Sequence, residues 1–396
     1  MNERQLFQKY LAPTSPEPMA LHITKASGSY LYDDTGKAYI DLIGGISVCN
    51  VGHRHPKVIA AIREQAEQYL HVMVYGEVVQ TPMVQYAALL AKHLPEPLSS
   101  VYFTNSGAEA VEGAMKLAKR ATGRSKIVAC NKSYHGSTQG AWSLVGAEEL
   151  RSKYRPLLPM IQHVDYNSAE ALAAIDTDTA CIILETVQSE AGVVVPDKEW
   201  MQSLREKCNA TGTLLILDEI QVGFGRTGSL WGFEQFGIVP DVLLLGKALG
   251  GGMPMGAFIA APELMQTLSV QPILGHMTTF GGHPVCSAAG MAALQALLDE
   301  NMIAAVPEKE ALFLKYLQHP AIHNITHKGL MMAVHLRDFE TVQRLIKGLL
   351  EKGVFTDWFL FASNCIRIVP PLNIPDEAIR EACAHICSAL DEIDAS

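Results

Sequence analysis

Nowhere does the sequence hold an apolar run long enough to span a bilayer; its longest runs, such as Val242 to Leu245, are strand-sized. Its start lacks a basic stretch followed by an apolar one. Met1 to Pro18 is polar and dotted with proline, so secretion is not expected and a cytoplasmic location is. Positive charge is scarce, with 31 Lys and Arg against 41 Asp and Glu and a formal net charge of -10. A surface of that sign repels nucleic acid and anionic membrane, so neither is expected as a partner. Internal repeats, low-complexity tracts and long linkers are absent. Clustered cysteine is nearly so: the eight cysteines are scattered and fall mostly in apolar segments (Cys130, Cys181, Cys208, Cys286). They read as buried small hydrophobes rather than disulfides. The tightest group, Cys383-Ala-His385-Ile-Cys387, puts two thiols on one helical face with no second ligand pair nearby, which points to core packing of a terminal helix and not to a metal. His53 and His55 also lack a third ligand and read as hydrogen-bonding residues where a helix begins.

What is present is a chain of 396 residues, 48% hydrophobic and 18% charged, enough for a large catalytic domain with a smaller one beside it. Ser29 to Tyr32 alternates, Asp33-Asp34-Thr35-Gly36 turns, and Lys37 to Leu42 alternates again, a β-hairpin. An amphipathic helix follows from Pro56 to about Leu70. From about residue 100, short apolar runs alternate with helical patterns: Val101 to Phe103, Ile127 to Ala129, Cys181 to Leu184, Leu214 to Leu217, Val242 to Leu245 and Ala257 to Ala260. Such runs predict an α/β fold whose mostly parallel sheet is flanked by helices. Toward the end, Lys309 to Leu317 and Thr341 to Glu351 are helical, Ile366 to Val369 is a strand, and Asp376 to Ile393 is a closing helix. The expected division is 1–49 as an N-terminal segment joining the smaller domain, 50–290 as the large domain, and 291–396 as the smaller α+β domain.

In a parallel α/β sheet, ligands bind beyond the carboxyl ends of the strands. Three strand ends carry suggestive residues. Thr104-Asn105-Ser106-Gly107-Ala108-Glu109 opens a helix; Ser106 and Glu109 fit a capping box, and the small residues, unpaired N–H groups and helix dipole also suit a phosphate. Many helices begin this way and bind nothing. Asp218 closes the apolar run Leu214 to Leu217, where a carboxylate needs a cation or good donors; it could equally cap the next turn. Lys247 sits between the run Val242 to Leu245 and Gly250-Gly251-Gly252, where poor solvation would lower its pKa and free the amine as a nucleophile, although most lysines at turns are surface residues. Together a phosphate cradle, a buried acid and a desolvated lysine are the protein groups that pyridoxal 5'-phosphate (PLP) needs. Tyr134, after another strand, and Ile220 could cover the two faces of its ring.

At this point the residues resemble the class III aminotransferases of PLP fold type I, from the hairpin near Tyr30 to the closing helix. The most specific segment runs from Leu217-Asp218-Glu219-Ile220-Gln221 through Gly223-Phe224-Gly225-Arg226-Thr227-Gly228, with Lys247 in Gly246-Lys247-Ala248 29 residues after Asp218. The resemblance implies that Lys247 is the Schiff-base lysine and proton shuttle, that Asp218 keeps the pyridine nitrogen protonated, and that Gln221 lies near the phenolic oxygen. It places Ser106, Gly107 and Ala108 on the phosphate, His135 and Glu185 beside the cofactor, and Thr279 on the phosphate from the other subunit of a homodimer. Glu190 and Arg367 resemble the family's switchable pair. Arg367 would grip the α-carboxylate of an amino or keto acid, and Glu190 would neutralise it when the substrate end lacks one.

Ser137 departs from the pattern. Acetylornithine, ornithine and bacterial 4-aminobutyrate aminotransferases carry arginine after the His-Gly step, whereas this chain reads His135-Gly136-Ser137-Thr138. Serine is similar to ω-amine and diamine aminotransferases, unless Arg151 or Arg155 substitutes. The expectation is an aminotransferase moving an amino group from an ω-amino acid or primary amine to 2-oxoglutarate or pyruvate. The alternatives are an acetylornithine, ornithine or 4-aminobutyrate aminotransferase, or an aminomutase, racemase or decarboxylase built on the same lysine and aspartate.

Overall fold

The structure is a computed structural model and describes residues 1–395. A short helix, Glu3–Tyr10, leads into an antiparallel meander: β1 (Ile23–Ser27), β2 (Tyr30–Asp33) and β3 (Ala38–Asp41). Asp33 closes its second turn, Oδ1 accepting from Thr35 N at 2.9 Å and Lys37 N at 3.0 Å, the local bonding that makes aspartate a turn residue. The helix Pro56–Gln68 follows, much as the sequence suggests. His53 Nε2 lies 2.7 Å from Asp41 Oδ2, and His55 pairs with Glu300 across 3.2 Å, so both histidines tie the start of this helix to neighbouring segments.

The central sheet is built from β4 (Ser100–Thr104), β5 (Lys126–Cys130), β6 (Ile161–Val164), β7 (Thr179–Glu185), β8 (Leu214–Asp218), β9 (Val242–Leu245) and β10 (Gly256–Ala260). Their order is β4-β10-β9-β8-β7-β5-β6, and only β10 runs against its neighbours. Every residue of β7 and β9 is buried, as expected for strands covered by helices on both faces. The sequence shows no sign of β6. It is an edge strand, half exposed, and its Gln162 and His163 break the apolar run by which the other strands are recognised.

The C-terminal segment forms a second four-stranded sheet from β11 (Asn324–His327), β12 (Met332–His335), β14 (Trp358–Phe359) and β15 (Ala362–Ile368), in the order β11-β12-β15-β14. Between β12 and β14 lies β13 (Val354–Phe355), which leaves this sheet to pair in parallel with β3 of the N-terminal meander. Helices Val306–Tyr316, Phe339–Lys352 and Asp376–Asp394 cover the C-terminal sheet region. The first begins earlier than its apolar pattern suggests because Pro307 suits a first turn, where its missing N–H costs nothing. Cys383 is buried in the last helix, and all eight cysteines are free thiols. Among the described residues, no helix is long and apolar enough to cross a membrane.

Candidate active site

The carboxyl ends of the central strands converge on a cavity of about 270 Å³. Gly107, Ala108, Tyr134, His135, Glu185 and Lys247 are among its walls, with Asp218, Ile220 and Gln221. Asp218 is the last residue of β8 and stands in register beside Glu185, the last of β7, so two carboxylates enter the site side by side. Lys247 follows β9 with its backbone in the left-handed region at φ 48°, a conformation that a non-glycine residue keeps only where its surroundings hold it.

Each of these groups has a partner. Asp218 Oδ2 lies 2.7 Å from His135 Nδ1, and Oδ1 accepts from Ile220 N at 2.9 Å. Burial disfavours the His135 cation, but the bond to Asp218 and its charge outweigh this and raise the imidazole pKa. Glu185 accepts from Ser189 N at 2.6 Å and Tyr134 N at 3.1 Å; burial, opposed by His135 and reinforced by Asp218, pushes it up to about 7. Lys247 Nζ donates to Gln221 Oε1 at 2.7 Å. Burial is the main reason its pKa falls to about 8, so about a tenth of the amine is unprotonated at pH 7, far more than for a solvated lysine.

The opposite rim is the turn after β7. Glu190 and Arg367 form a two-pronged ion pair, Nη1 to Oε1 at 2.7 Å and Nη2 to Oε2 at 2.9 Å, with both side chains nearly buried. Glu190 lines the cavity, and Arg367 stands behind it on β15. The guanidinium has a second anionic neighbour, Asp357 Oδ1 at 2.9 Å from Nε, and lies over the Phe359 ring at 4.4 Å.

The structure therefore brings together Gly107, Ala108, Tyr134, His135, Ser137, Glu185, Glu190, Asp218, Ile220, Gln221 and Lys247. Ser106 is adjacent, its Oγ capping the helix by accepting from Glu109 N at 3.2 Å. The reciprocal half of the expected capping box is missing. Glu109 turns instead to Asn105, accepting from N at 2.9 Å and Nδ2 at 2.8 Å, because that residue offers two donors. Thr279 lies outside this cavity, in a separate cleft with His276, Met277 and Thr278. Sequence reasoning missed Val187 and Ser189 in the wall and Asp357 behind Arg367. Asp357 carries no local signal, since only the pairing of β14 with β15 brings it to Arg367.

PLP fits the donor set. Asp218 has spent one bond on each oxygen and keeps lone pairs for a further donor. The first turn of the helix Gly107–Thr122 reaches the cavity, and first-turn N–H groups have no acceptor within their helix. A Cβ on Gly107 would lie 2.7 Å from the Ile220 side chain, so the glycine is what allows the cradle to meet that wall. A nucleophilic amine, an acid for a protonated heterocycle and an anion cradle, placed at the strand ends of this α/β architecture, define a PLP-dependent enzyme of fold type I.

The family model for class-III aminotransferases matches residues 11–390, and the chain belongs to that family. It is 39% identical to the acetylornithine aminotransferase of Methanopyrus kandleri over 98% of this chain and 99% of that one. Among solved structures, the ornithine aminotransferase of Toxoplasma gondii superposes with a TM-score of 0.91 at 30% identity, covering 99% of this chain and 94% of the other. A thermostable (S)-enantioselective ω-transaminase from Thermomicrobium roseum gives 0.90 at 27%, covering 98% and 97%.

Proposed function

We propose that this aminotransferase takes its amino group from an ω-amino acid or primary amine and passes it to 2-oxoglutarate or pyruvate. The carrying observation is the state of the Ser137 corner. Its Oγ is 3.0 Å from the Tyr134 hydroxyl, and neither arginine that might replace the missing guanidinium lines the cavity. Arg151 contacts Glu148 at 3.0 Å and the His163 ring at 2.9 Å; Arg155 reaches the same Glu148 at 2.5 Å. Lys247 is the one lysine or arginine among the described residues that line the cavity. A donor with a carboxylate at this corner would meet two hydroxyls in place of a two-pronged cation.

In this reading PLP supplies the electron sink that stabilises negative charge on the substrate carbon. Lys247 holds the cofactor and moves the proton at that carbon, Asp218 keeps the pyridine nitrogen protonated, and His135 fixes Asp218. Tyr134 and Ile220 flank the ring, Gln221 lies by the phenolic oxygen, and Glu185 holds the Tyr134 and Ser189 backbones. Ser106, Gly107 and Ala108 take the phosphate. Arg367 takes an α-carboxylate when Glu190 releases it.

The active unit in this reading is a homodimer with Thr279 reaching the partner's phosphate site. Support comes from the adjoining segments 70–79 and 270–280, which expose Met73, Val74, Leu274 and Met277 in the walls of a cleft of about 780 Å³ and Val72, Val79, Ile273 and Phe280 elsewhere along the same segments. So much contiguous apolar surface calls for a cover. That residues 1–49 join the smaller C-terminal domain is supported by β13, which pairs with β3 of the N-terminal meander; the boundary at 290 falls within the helix Pro284–Asp299.

A second reading, acetylornithine as donor, is favoured by the full-length likeness to the Methanopyrus kandleri enzyme. The test is a single-turnover half-reaction, followed by loss of the PLP absorbance, over ornithine, acetylornithine, 4-aminobutyrate, lysine, putrescine and simple amines. ω-Amines reacting fastest is the expected result. Acetylornithine outpacing them overturns the reading.

A further inference from the structure

The turn that carries Glu190 is fastened on two sides. Gln188 and Val194 exchange backbone hydrogen bonds at 3.0 and 2.8 Å, so the residues between them form a tight tip. On the side of the central sheet, Ser189 N donates to Glu185, and the Ser189 hydroxyl accepts from Gln221, which also holds Lys247. On the other side, the tip lies against the C-terminal sheet. Glu190 O accepts from Phe361 N at 3.0 Å, Glu190 Oε2 accepts from Leu360 N at 3.0 Å, and Gly192 O accepts from the Thr326 hydroxyl at 2.5 Å.

Thr326 belongs to a longer arrangement. Its Oγ1 is 2.8 Å from His335 Nε2, and His335 Nδ1 is 3.1 Å from Cys365 Sγ. Strand register explains the grouping. Cys365 pairs with His335 and Arg367 with Ala333, while Thr326 also pairs with Ala333. Side chains alternate along a strand, so Thr326, His335, Cys365 and Arg367 all project from one face of this sheet. Arg367 on that face meets Glu190, and the other three meet Gly192 two residues further on.

Donor and acceptor counting gives the chain a direction. A threonine hydroxyl has one proton, and here it goes to the Gly192 carbonyl. Oγ1 must then accept from His335, so Nε2 carries a proton. Burial lowers the His335 pKa, which keeps the ring neutral and leaves Nδ1 to accept from the Cys365 thiol. Donation runs from Cys365 through His335 and Thr326 to Gly192 O, with every group satisfied. Gly192 has φ 89°, and a Cβ there would lie 2.9 Å from Ala362 Cβ, so the tip sits directly on the sheet.

We propose that Thr326 and His335 are positioning residues for substrate selection: by tethering the Gly192 carbonyl they hold the tip so that Glu190 stays on Arg367. They thereby set how readily Arg367 is released to a substrate α-carboxylate. This rests on the reading of Glu190 and Arg367 given above. With the tether cut, Glu190 leaves more easily, binding of α-carboxylate substrates tightens, and binding of ω-amines, which need Arg367 neutralised, weakens.

The experiment uses holoenzyme variants Thr326→Val and Thr326→Ser in single-turnover half-reactions. The donors are L-glutamate or L-alanine, whichever reacts, and the fastest ω-amine of the panel. For Thr326→Val the ratio of the two apparent dissociation constants should shift about three- to tenfold toward the α-amino acid, the range one neutral hydrogen bond spans. Limiting rates should hold within about twofold, because no group touching the reacting atoms has changed. Thr326→Ser, which keeps the hydroxyl, should match the parent. Should Thr326→Val fail to fold, His335→Leu removes the donor from the adjacent strand and must move the ratio the same way. An unmoved ratio, or a serine variant behaving like valine, overturns the tether. Glu190→Gln separates the two levels: if it leaves the ratio unchanged, the pair does not select substrates and both readings fall. If Glu190→Gln moves the ratio and Thr326→Val does not, the tether alone falls.

Discussion

Arg367 and Glu190 meet end to end, two nitrogens on two oxygens at 2.7 and 2.9 Å, each side chain buried against the rim of the cavity. Burial works against both charges, yet each holds the other ionised: the Glu190 pKa is lowered and that of Arg367 raised. A fork of this geometry can be handed from one carboxylate to another without rebuilding. Lysine offers a point charge and cannot reproduce the two parallel bonds. For Arg367→Lys, KM for the keto-acid acceptor is expected to rise about ten- to hundredfold, the value of a charged two-pronged contact. Steady-state kinetics with 2-oxoglutarate and pyruvate read this directly. An unchanged KM for both acceptors would remove Arg367 from substrate binding.

The Lys247 amine gives a prediction in pH. An ordinary lysine keeps its proton until about pH 10.4. Burial brings Lys247 to about 8, so the free-amine fraction should climb through pH 8 and then level off. Capture of PLP by the apoenzyme, timed by its absorbance, should follow that curve. A rate still climbing steeply between pH 9 and 10 would show an ordinary, solvated lysine and contradict the enclosed site.

Ser137 tests the substrate reading from the opposite direction. Ser137→Arg places a guanidinium where the Tyr134 and Ser137 hydroxyls now face each other at 3.0 Å. Donors with a carboxylate should gain about ten- to hundredfold in kcat/KM through the added charged contact, while simple amines gain nothing. Equal effects on acetylornithine and a plain amine in the half-reaction would mean that this corner does not touch the distal end of the donor.

How much of this could be read in the sequence follows from which contacts are local. β4, β5, β7, β8, β9 and β10 are fully or largely apolar runs closed by turn residues, so they announce themselves, and so do Asp218 and Lys247 just past their ends. β6 escaped because an edge strand can carry Gln162 and His163. The placement of His135 against Asp218 joins residues far apart in the chain, and no local pattern encodes it. The same holds for Asp357 behind Arg367 and for Thr326, His335 and Cys365 under the Glu190 turn: strand register in the C-terminal sheet brings them there. Thr279 shows a different limit. Its motif is recognisable, but a single chain leaves it in another cleft.

Arg226 sits in the same motif that carries Asp218, and its work is structural. It is fully buried, with Nη1 donating to Leu330 O at 2.8 Å and Pro370 O at 2.6 Å and Nη2 to Asn50 Oδ1 at 2.6 Å. Those acceptors come from three distant stretches of chain, so one guanidinium joins the N-terminal loop, the central-sheet segment and the C-terminal segment that ends in Arg367. Arg226→Met fits the volume but strands three acceptors away from water, at about 1–3 kcal/mol each. The loss should reach at least about 3 kcal/mol in urea unfolding of the holoenzyme, with Arg226→Lys in between because an ammonium can satisfy some of the three. Because β15 leads directly into Pro370, the methionine variant should also weaken keto-acid binding before it unfolds. A variant that lost stability while keeping the parental KM would show that the joint holds the fold without setting the position of Arg367.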